Sequence, residues 1–357
     1  HLVGAERFLH AWLEREGYKY DVITDLDLHQ DPDVLQGYRV VVINGHSEYW
    51  SVPAYQGVER YLKNGGNVLC LSGNTMFWRV SFNGDGTIME CRKVDAEGAM
   101  MPPERRGEAW HCQDGQRGGL MRDCGYPAWR LVGLETMGWH NANPEQFGSF
   151  RIEQAGHFLF TTPDRVSVKK GDVFAAGTDG HEFDARLSTI AGIQEQPPPA
   201  GGVLPPDPAG ITLLARGTTN RWDLGGRVID YFARSVTPKE TAGGEMIYWE
   251  RPEGGRVFNA GFIGAGWALA ADPKLQGLVR NALAHFGVKP EPNTNEPRSA
   301  DFDGNGMVDF NDFFLFAAAF GKKAGDGGFD AKFDLNGDGA VDFSDFFVFA
   351  VAFGKKG

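Results

Sequence analysis

Apolar positions along the first ninety residues switch between two periods. Phe8, Leu9, Trp12 and Leu13 recur at helical spacing and stop at Gly17, which predicts a helix ending there. Tyr18–Thr24 alternates and predicts a strand, and Tyr38–Asn44 predicts a second strand apolar enough to be covered on both faces. Tyr55, Val58, Tyr61 and Leu62 restore the helical period over Val52–Lys63, and Asn64-Gly65-Gly66 supplies the stop. Asn67–Ser72 predicts a third strand. Strands alternating with helices predict an α/β domain with a parallel sheet and helices on its faces.

The periodicity then weakens. Residues 83–150 are rich in Gly, Arg and Trp and read as long loops over the sheet's edge. The Pro/Gly run at 197–210 is too stiff and donor-poor for a sheet interior. Gly244–Phe262 predicts two strands joined by the turn Pro252-Glu253-Gly254-Gly255, and Pro273–Phe286 a closing helix. The domain so outlined covers 1–288, with a Pro-rich polar linker at 289–298 and a separate module at 299–357.

Composition adds limits. With 42% hydrophobic and 23% charged residues the chain is ordinary for a globular protein, and its net charge of −12 argues against a nucleic-acid partner. No run approaches the roughly 18 apolar residues of a membrane helix, so no membrane partner is expected. Because the chain begins at His1, the lack of a leader says nothing about its destination. Cys70 lies in an apolar run and reads as a core thiol, while Cys112 and Cys124 flank a Gly-rich loop and leave both a disulfide and free thiols open.

The acidity is concentrated after Ser299, where ten Asp and no Glu stand against five Lys. An EF-hand-type loop places oxygen ligands at positions 1, 3, 5, 7, 9 and 12, with Gly at 6 for the turn. Asp301, Asp303, Asn305, the Met307 carbonyl, Asp309 and Asp312 satisfy that spacing. So do Asp334, Asn336, Asp338, the Ala340 carbonyl, Asp342 and Asp345, 33 residues later. Each loop runs into a nearly identical helix, DFFLFAAAFGKK and DFFVFAVAFGKK. A solvated Asp/Gly turn explains one such run but not two in register, so two calcium sites are expected. Asp rather than Glu at position 12, with little room for an entering helix, resembles the duplicated loop–helix segments of type I dockerins. The resemblance implies an extracellular protein, a calcium-folded module and a cohesin-like partner; a self-packing stabilising tail is the alternative.

Residues 1–288 carry a second resemblance. WLEREGYKYDVITDLDLH, YRVVVINGHSEYWS and YLKNGGNVLCLSGNTMFWRVSF, followed by WHCQDGQRGGLMR, AGTDGHEFD and IYWERPEGGRVFNAGF, are similar in order and content to the C-terminal part of the N,N-dimethylformamidase β subunit. That resemblance implies a glutamine-amidotransferase-like α/β fold, hydrolysis of a small amide, and an iron held by two tyrosines and a glutamate. Tyr49 matches one tyrosine; Phe8 stands where the second is expected, and Gln113 or Gln116 where the glutamate is. Glu250 matches a family glutamate that would serve as base or as an acid behind the metal ligands.

The residues themselves point to the same loop. His46, Glu48 and Tyr49 crowd the end of the second expected strand, near Asn74 after the third, where ligands bind in open α/β sheets. Phenolate and carboxylate suit a hard ion, which would lower the pKa of a bound water. The competing reading has Tyr49 and Trp50 capping the sheet and Glu48 solvated. His111 is a further candidate; His140 and His181-Glu182 read as structural or solvated. Tyr49, His46, Glu48, Asn74 and Glu250 are expected to share one pocket. Cys70 lies inside its strand, there is no GxSxG, and there is no P-loop, which argues against Cys or Ser nucleophiles and nucleotide chemistry. A non-catalytic recognition or scaffold domain is the alternative to an amide hydrolase.

Overall fold

A computed structural model describes residues 2–93, 109–140, 147–218, 225–239, 242–290 and 299–356. The chain divides into two compact units, one of residues His1–Arg15 and Tyr20–Lys289, the other of Pro290–Gly357 with the short stretch Glu16–Lys19. Most of the expected linker, 291–298, lies outside the described residues.

In the larger unit, α1 (Leu2–Glu16) stops at Gly17, whose φ of +78° is the left-handed turn that glycine permits. The next segment corrects the reading of Tyr18–Thr24 as a strand. Thr24 instead caps α2 (Asp25–Gln30), its hydroxyl accepting from Asp27 N while the Asp27 carboxylate accepts from Thr24 N. Val22, one of the apolar residues behind the strand reading, is exposed.

The following elements agree closely with the hydrophobic pattern. They are β1 (Val40–His46), the short β2 (Tyr49–Ser51), α3 (Val52–Lys63) and β3 (Asn67–Gly73). Ser51 caps α3 through Ala54 N, and Pro53 sits in the first turn, where its missing N–H costs nothing. All seven residues of β3 are buried. Tyr55, Val58, Tyr61 and Leu62 of α3 share a core cluster with Val68 and Cys70 of β3.

The described residues between 83 and 150 hold more regular structure than their weak periodicity suggests. After β4 (Trp78–Phe82), the described part of that segment holds β5 (Met89–Cys91), α4 (Ala128–Val132) and β6 (Glu135–His140). In β6 a buried Glu135 pairs with the buried Arg122 at 3.0 Å, so a charge stands where the pattern would show an apolar residue. The chain continues through β7 (Gly148–Ile152), β8 (Val173–Asp179), β9 (His181–Ala185), α5 (Leu187–Ile193), β10 (Ile211–Gly217), β11 (Arg227–Ile229) and β12 (Ser235–Val236). The expected strand pair is β13 (Glu245–Glu250) and β14 (Arg256–Asn259), and α6 (Ala265–Ala271) and α7 (Pro273–His285) close the unit.

The sheet is mixed, which corrects the expectation of a parallel one. Its order is β1-β3-β14-β13-β10-β7-β8, with parallel pairing confined to β1, β3 and β14 and antiparallel pairing beyond. The alternating helices that impose parallel crossovers are present only in the first part of the chain. A second sheet, β12-β11-β6-β9, is antiparallel, and β2-β4-β5 forms a third.

The smaller unit contains α8 (Phe310–Ala319) and α9 (Phe343–Ala352). Phe302, Phe316 and Phe349 stack inside it, with ring centroids 5.7–6.3 Å apart. Among the described residues no helix is long and apolar enough to cross a membrane. All four cysteines are free thiols, which settles the Cys112–Cys124 alternative, and Cys70 is fully buried with its pKa pushed by that burial to about 12.

Candidate active site

β1 and β3 run parallel with His46 opposite Gly73, so both deliver their carboxyl ends to the same edge. From β1 the chain turns through Ser47 and Glu48 into β2, while β3 turns through Asn74 and Thr75. Ser47 Oγ lies 2.8 Å from Ser72 Oγ, and the Ser47 carbonyl accepts from the Trp50 indole at 2.8 Å. Asn74 and Met76 are in the left-handed region at φ 53° and 57°, an unfavourable conformation for Met. The buried Asp184 carboxylate of β9 holds this turn, accepting from Asn74 N at 2.8 Å and Thr75 N at 3.4 Å. Burial raises the Asp184 pKa to about 7 against those hydrogen bonds.

β9 approaches β3 closely. A Cβ on Gly73 would lie 2.5 Å from the Glu182 carbonyl oxygen and 2.8 Å from Ile263 N, so only glycine fits. That approach brings Glu182 of β9 to His46 of β1. His46 Nε2 is 2.8 Å from Glu182 Oε2 and 3.1 Å from Glu48 Oε2. These are hydrogen-bond distances without hydrogen-bond directions: His46 Nε2 and Glu182 Oε2 are both buried and neither makes a well-aligned bond. Burial alone would lower the imidazole pKa, but Glu182 and then Glu48 outweigh it and raise it to about 10. For Glu48, burial opposes ionisation, while His46 and the charge of Lys93 prevail and lower its pKa.

A cavity of about 290 Å³ opens beside these groups, lined by Glu48, Asn74, Phe77, Lys93, Thr136, Trp139 and Glu182. The size suits a small molecule, and the lining combines two aromatic rings with two carboxylates and one ammonium. Thr136 donates to Asn74 Oδ1 at 3.1 Å, fixing the amide that faces the space. Lys93 donates to Tyr49 Oη at 2.7 Å and lies 4.0 Å from Glu48 Oε1.

The expected pocket of five residues is assembled in part. Glu48 and Asn74 line the cavity, His46 bridges Glu48 and Glu182, and Tyr49 touches it through Lys93. Glu250 is elsewhere, which corrects its assignment as a base in this site. It pairs with Arg256, and Arg256 with Asn67, at the start of β3 rather than its end. Six residues of strand separate the two ends, about 20 Å at roughly 3.3 Å per residue. Glu250 is exposed and accepts from Tyr248 Oη at 2.8 Å.

His111 is buried but is absent from the cavity wall; its Nδ1 is 2.6 Å from Ser81 Oγ. Burial and the nearby Arg79 lower its pKa, which fits a packed structural imidazole. His140 is fully buried against Phe147. Glu182, expected to be structural or solvated, is central, and Lys93 was not singled out for the site at all. Glu182 and Asp184 share one face of β9, but in the short, mostly polar sequence HEFDA no local pattern set Glu182 apart.

The tyrosine-based iron set implied by the resemblance does not fit these residues. Phe8 has no donor atom and is 40% exposed; Gln113 and Gln116 lie in an exposed turn, where Gln113 N donates to Glu90. Burial raises the Tyr49 pKa, favouring the neutral phenol that accepts from Lys93. The donors that do converge are His46, Glu48 and Glu182, one ligand atom from each lying within 4.8 Å of the others.

In the smaller unit Asp301, Asp303 and Asp312 converge within the same limit. The second loop, with Asn336 at its third position, does not bring three carboxylates that close. Gly306 N and Gly339 N donate to the position-1 carboxylates, Asp301 and Asp334, at 2.8 and 3.0 Å. Asp309 and Asp342 cap α8 and α9, each in a capping box with the position-12 residue, Asp312 or Asp345. Asp312 and Asp345 are fully buried, and among the described residues no basic side chain pairs with either. Each instead accepts backbone N–H bonds from its own loop, Asp312 from Phe302, Asp303 and Asp309, and Asp345 from Asn336 and Asp342.

A family model described as N,N-dimethylformamidase beta subunit-like, C-terminal, matches residues 1–278. The N,N-dimethylformamidase β subunit of Paracoccus aminophilus is 29% identical over 185 residues, covering 50% of this chain and 24% of that protein. The corresponding subunit of an Alcaligenes species is 28% identical over the same length and shares. The chain thus matches about a quarter of the length of these curated relatives. Among solved structures, a β-galactosidase of Bacillus circulans gives a TM-score of 0.42 at 12% identity, over 81% of this chain and 28% of that one. A ThuA-like protein of Bacteroides uniformis gives 0.37 at 11%, over 79% and 83%. At those scores neither likeness bears on function.

Proposed function

The chain belongs to the family of N,N-dimethylformamidase β subunit-like C-terminal domains, and from that premise we propose that its larger unit hydrolyses the C–N bond of small amides, N-substituted formamides foremost. The observation that carries the reading is the bracketing of His46 Nε2 by Glu182 and Glu48 at the wall of a cavity of about 290 Å³. A formamide carries no side chain that needs more room. Phe77 and Trp139 would hold its N-alkyl groups, while Lys93 would draw its carbonyl oxygen.

A carboxylate beside the carbonyl takes a proton from water as the water oxygen bonds to carbon. Glu182, which lines the cavity, is the base in this reading, and Glu48 lines it beside the same imidazole. The developing oxyanion is then offset by the Lys93 ammonium. Collapse breaks the C–N bond, and the amine leaves with the proton that the carboxylate took from the water. Products are a carboxylic acid and an amine, and the protons balance without a second substrate. Purified full chain incubated with a small formamide should release amine, and Glu182→Gln should remove most of that activity. Amine release undiminished in Glu182→Gln would place the chemistry elsewhere.

The lost tyrosine and glutamate positions favour one alternative, a non-catalytic recognition domain whose cavity binds the amide without turnover. Binding measurable by calorimetry in the absence of amine release would select it.

The smaller unit is read as a dockerin-like module with two calcium ions, held by Asp301, Asp303, Asn305, the Met307 carbonyl, Asp309 and Asp312, and by Asp334, Asn336, Asp338, the Ala340 carbonyl, Asp342 and Asp345. Bound calcium would neutralise the buried carboxylates and order the loops. Phe310, Phe314, Phe343 and Phe347 stand exposed at matching positions of α8 and α9, a surface suited to a cohesin-like partner outside the cell. Titration of a cohesin-type domain with and without calcium tests it: calcium-dependent binding supports the tether, and none at any calcium level leaves a self-packing tail.

A further inference from the structure

We propose that His46 Nε2, Glu48 and Glu182 form a site for a borderline divalent metal such as zinc, iron(II) or manganese, taking the place of the tyrosine-based iron set that the family resemblance implies. The inference deepens the reading of the same cavity as a hydrolytic site, but its observations are separate.

The first observation is convergence. One nitrogen and two carboxylate oxygens, delivered from β1, the β1–β2 turn and β9, lie within 4.8 Å of one another. The second is direction. A salt bridge built for its own sake would aim the imidazole N–H at one oxygen. Here Nε2 sits 2.8 and 3.1 Å from two oxygens, yet both it and Glu182 Oε2 are buried without an aligned partner. Atoms arranged this way face a common point rather than each other, as ligands around an ion do.

The third observation is chemistry. One imidazole with two carboxylates is a mixed nitrogen–oxygen set, suited to zinc, iron(II) and manganese and too poor in oxygen for calcium. Three protein ligands leave positions open, and the open side faces the cavity, since Glu48 and Glu182 both line it. Tyr49 is not a ligand, because its hydroxyl is held by Lys93 at 2.7 Å.

The test uses the full chain, stripped with chelator and resaturated with calcium so that the acidic loops are filled. Cobalt(II) is then added and followed by its visible d–d absorption and by bound metal per chain. We expect one cobalt per chain, displaced by zinc. Glu48→Gln and Glu182→Gln should each weaken it by about tenfold or more, and His46→Ala likewise, while Tyr49→Phe leaves it unchanged. Near-UV circular dichroism checks the fold; if His46→Ala fails to fold, the near-isosteric Gln variants decide. No cobalt bound with calcium present, binding undiminished in both Gln variants, or binding lost in Tyr49→Phe would each overturn the site. Cobalt bound by a chain that never hydrolyses a formamide leaves this inference standing and defeats the proposed function. Hydrolysis by a chain that binds no cobalt does the reverse.

Discussion

Glu182 Oε2 lies 2.8 Å from His46 Nε2, although the two residues belong to different sheets and lie far apart in the chain. The contact depends on β9 crossing the end of β3 at Gly73, where any side chain would meet the Glu182 backbone.

Gly73→Ala tests that dependence. The added Cβ must push β9 or Ile263 aside, because both obstacles are backbone atoms 2.5 and 2.8 Å away. Stability should fall by about 1–3 kcal/mol, the usual cost of overpacking. Amide hydrolysis should fall further than stability, since Glu182 moves with its backbone. Denaturant titration beside a rate measurement checks this; a variant as stable and active as the parent would show that the approach is not needed.

The first strands, α3 and the closing hairpin and helix were legible because their burial follows a single period. β3 is buried along its whole length, and Tyr55, Val58, Tyr61 and Leu62 face one core. The segment Tyr18–Thr24 misled because its alternation resembled a strand's while the Thr24–Asp27 capping box decided its path. The site was half legible. His46 and Glu48 could be read because strand ends carry ligands and they crowd one such end. Glu182 and Lys93 could not, because they join the site through tertiary contacts that no local period records. Glu250 went wrong for the converse reason: a matching motif gives a residue type, but strand direction decides which end of the sheet it reaches.

Removing calcium should loosen residues 299–357 and leave the larger unit folded. Asp301→Ala and Asp334→Ala should each lower the bound calcium by one ion per chain, because each removes the first ligand of one loop. Limited proteolysis with and without chelator, with metal counting, checks both. Equal cleavage of the tail in both states would contradict the calcium assignment.

Acid should destabilise the larger unit through His157. Burial, with the neighbouring His285, lowers its pKa from 6.5 to about 4. Between those values the unfolded chain binds the extra proton and the folded one does not, so stability falls as pH drops through that window and is fully present above it. His157→Gln should flatten the dependence, read as the difference in denaturation midpoint between pH 7 and pH 5. A difference unchanged from the parent would remove His157 from the cause.

The measurement that bears most directly on the site compares amine release from a small formamide by the full chain and by its Glu182→Gln and Tyr49→Phe variants, each shown to be folded. Glu182→Gln should cut the rate by about 100-fold or more, the scale of losing a general base. Tyr49→Phe should cost far less, because its hydroxyl only positions Lys93. A chain whose activity survives Glu182→Gln but is abolished by Tyr49→Phe would contradict the His46–Glu48–Glu182 site and restore the tyrosine as its centre.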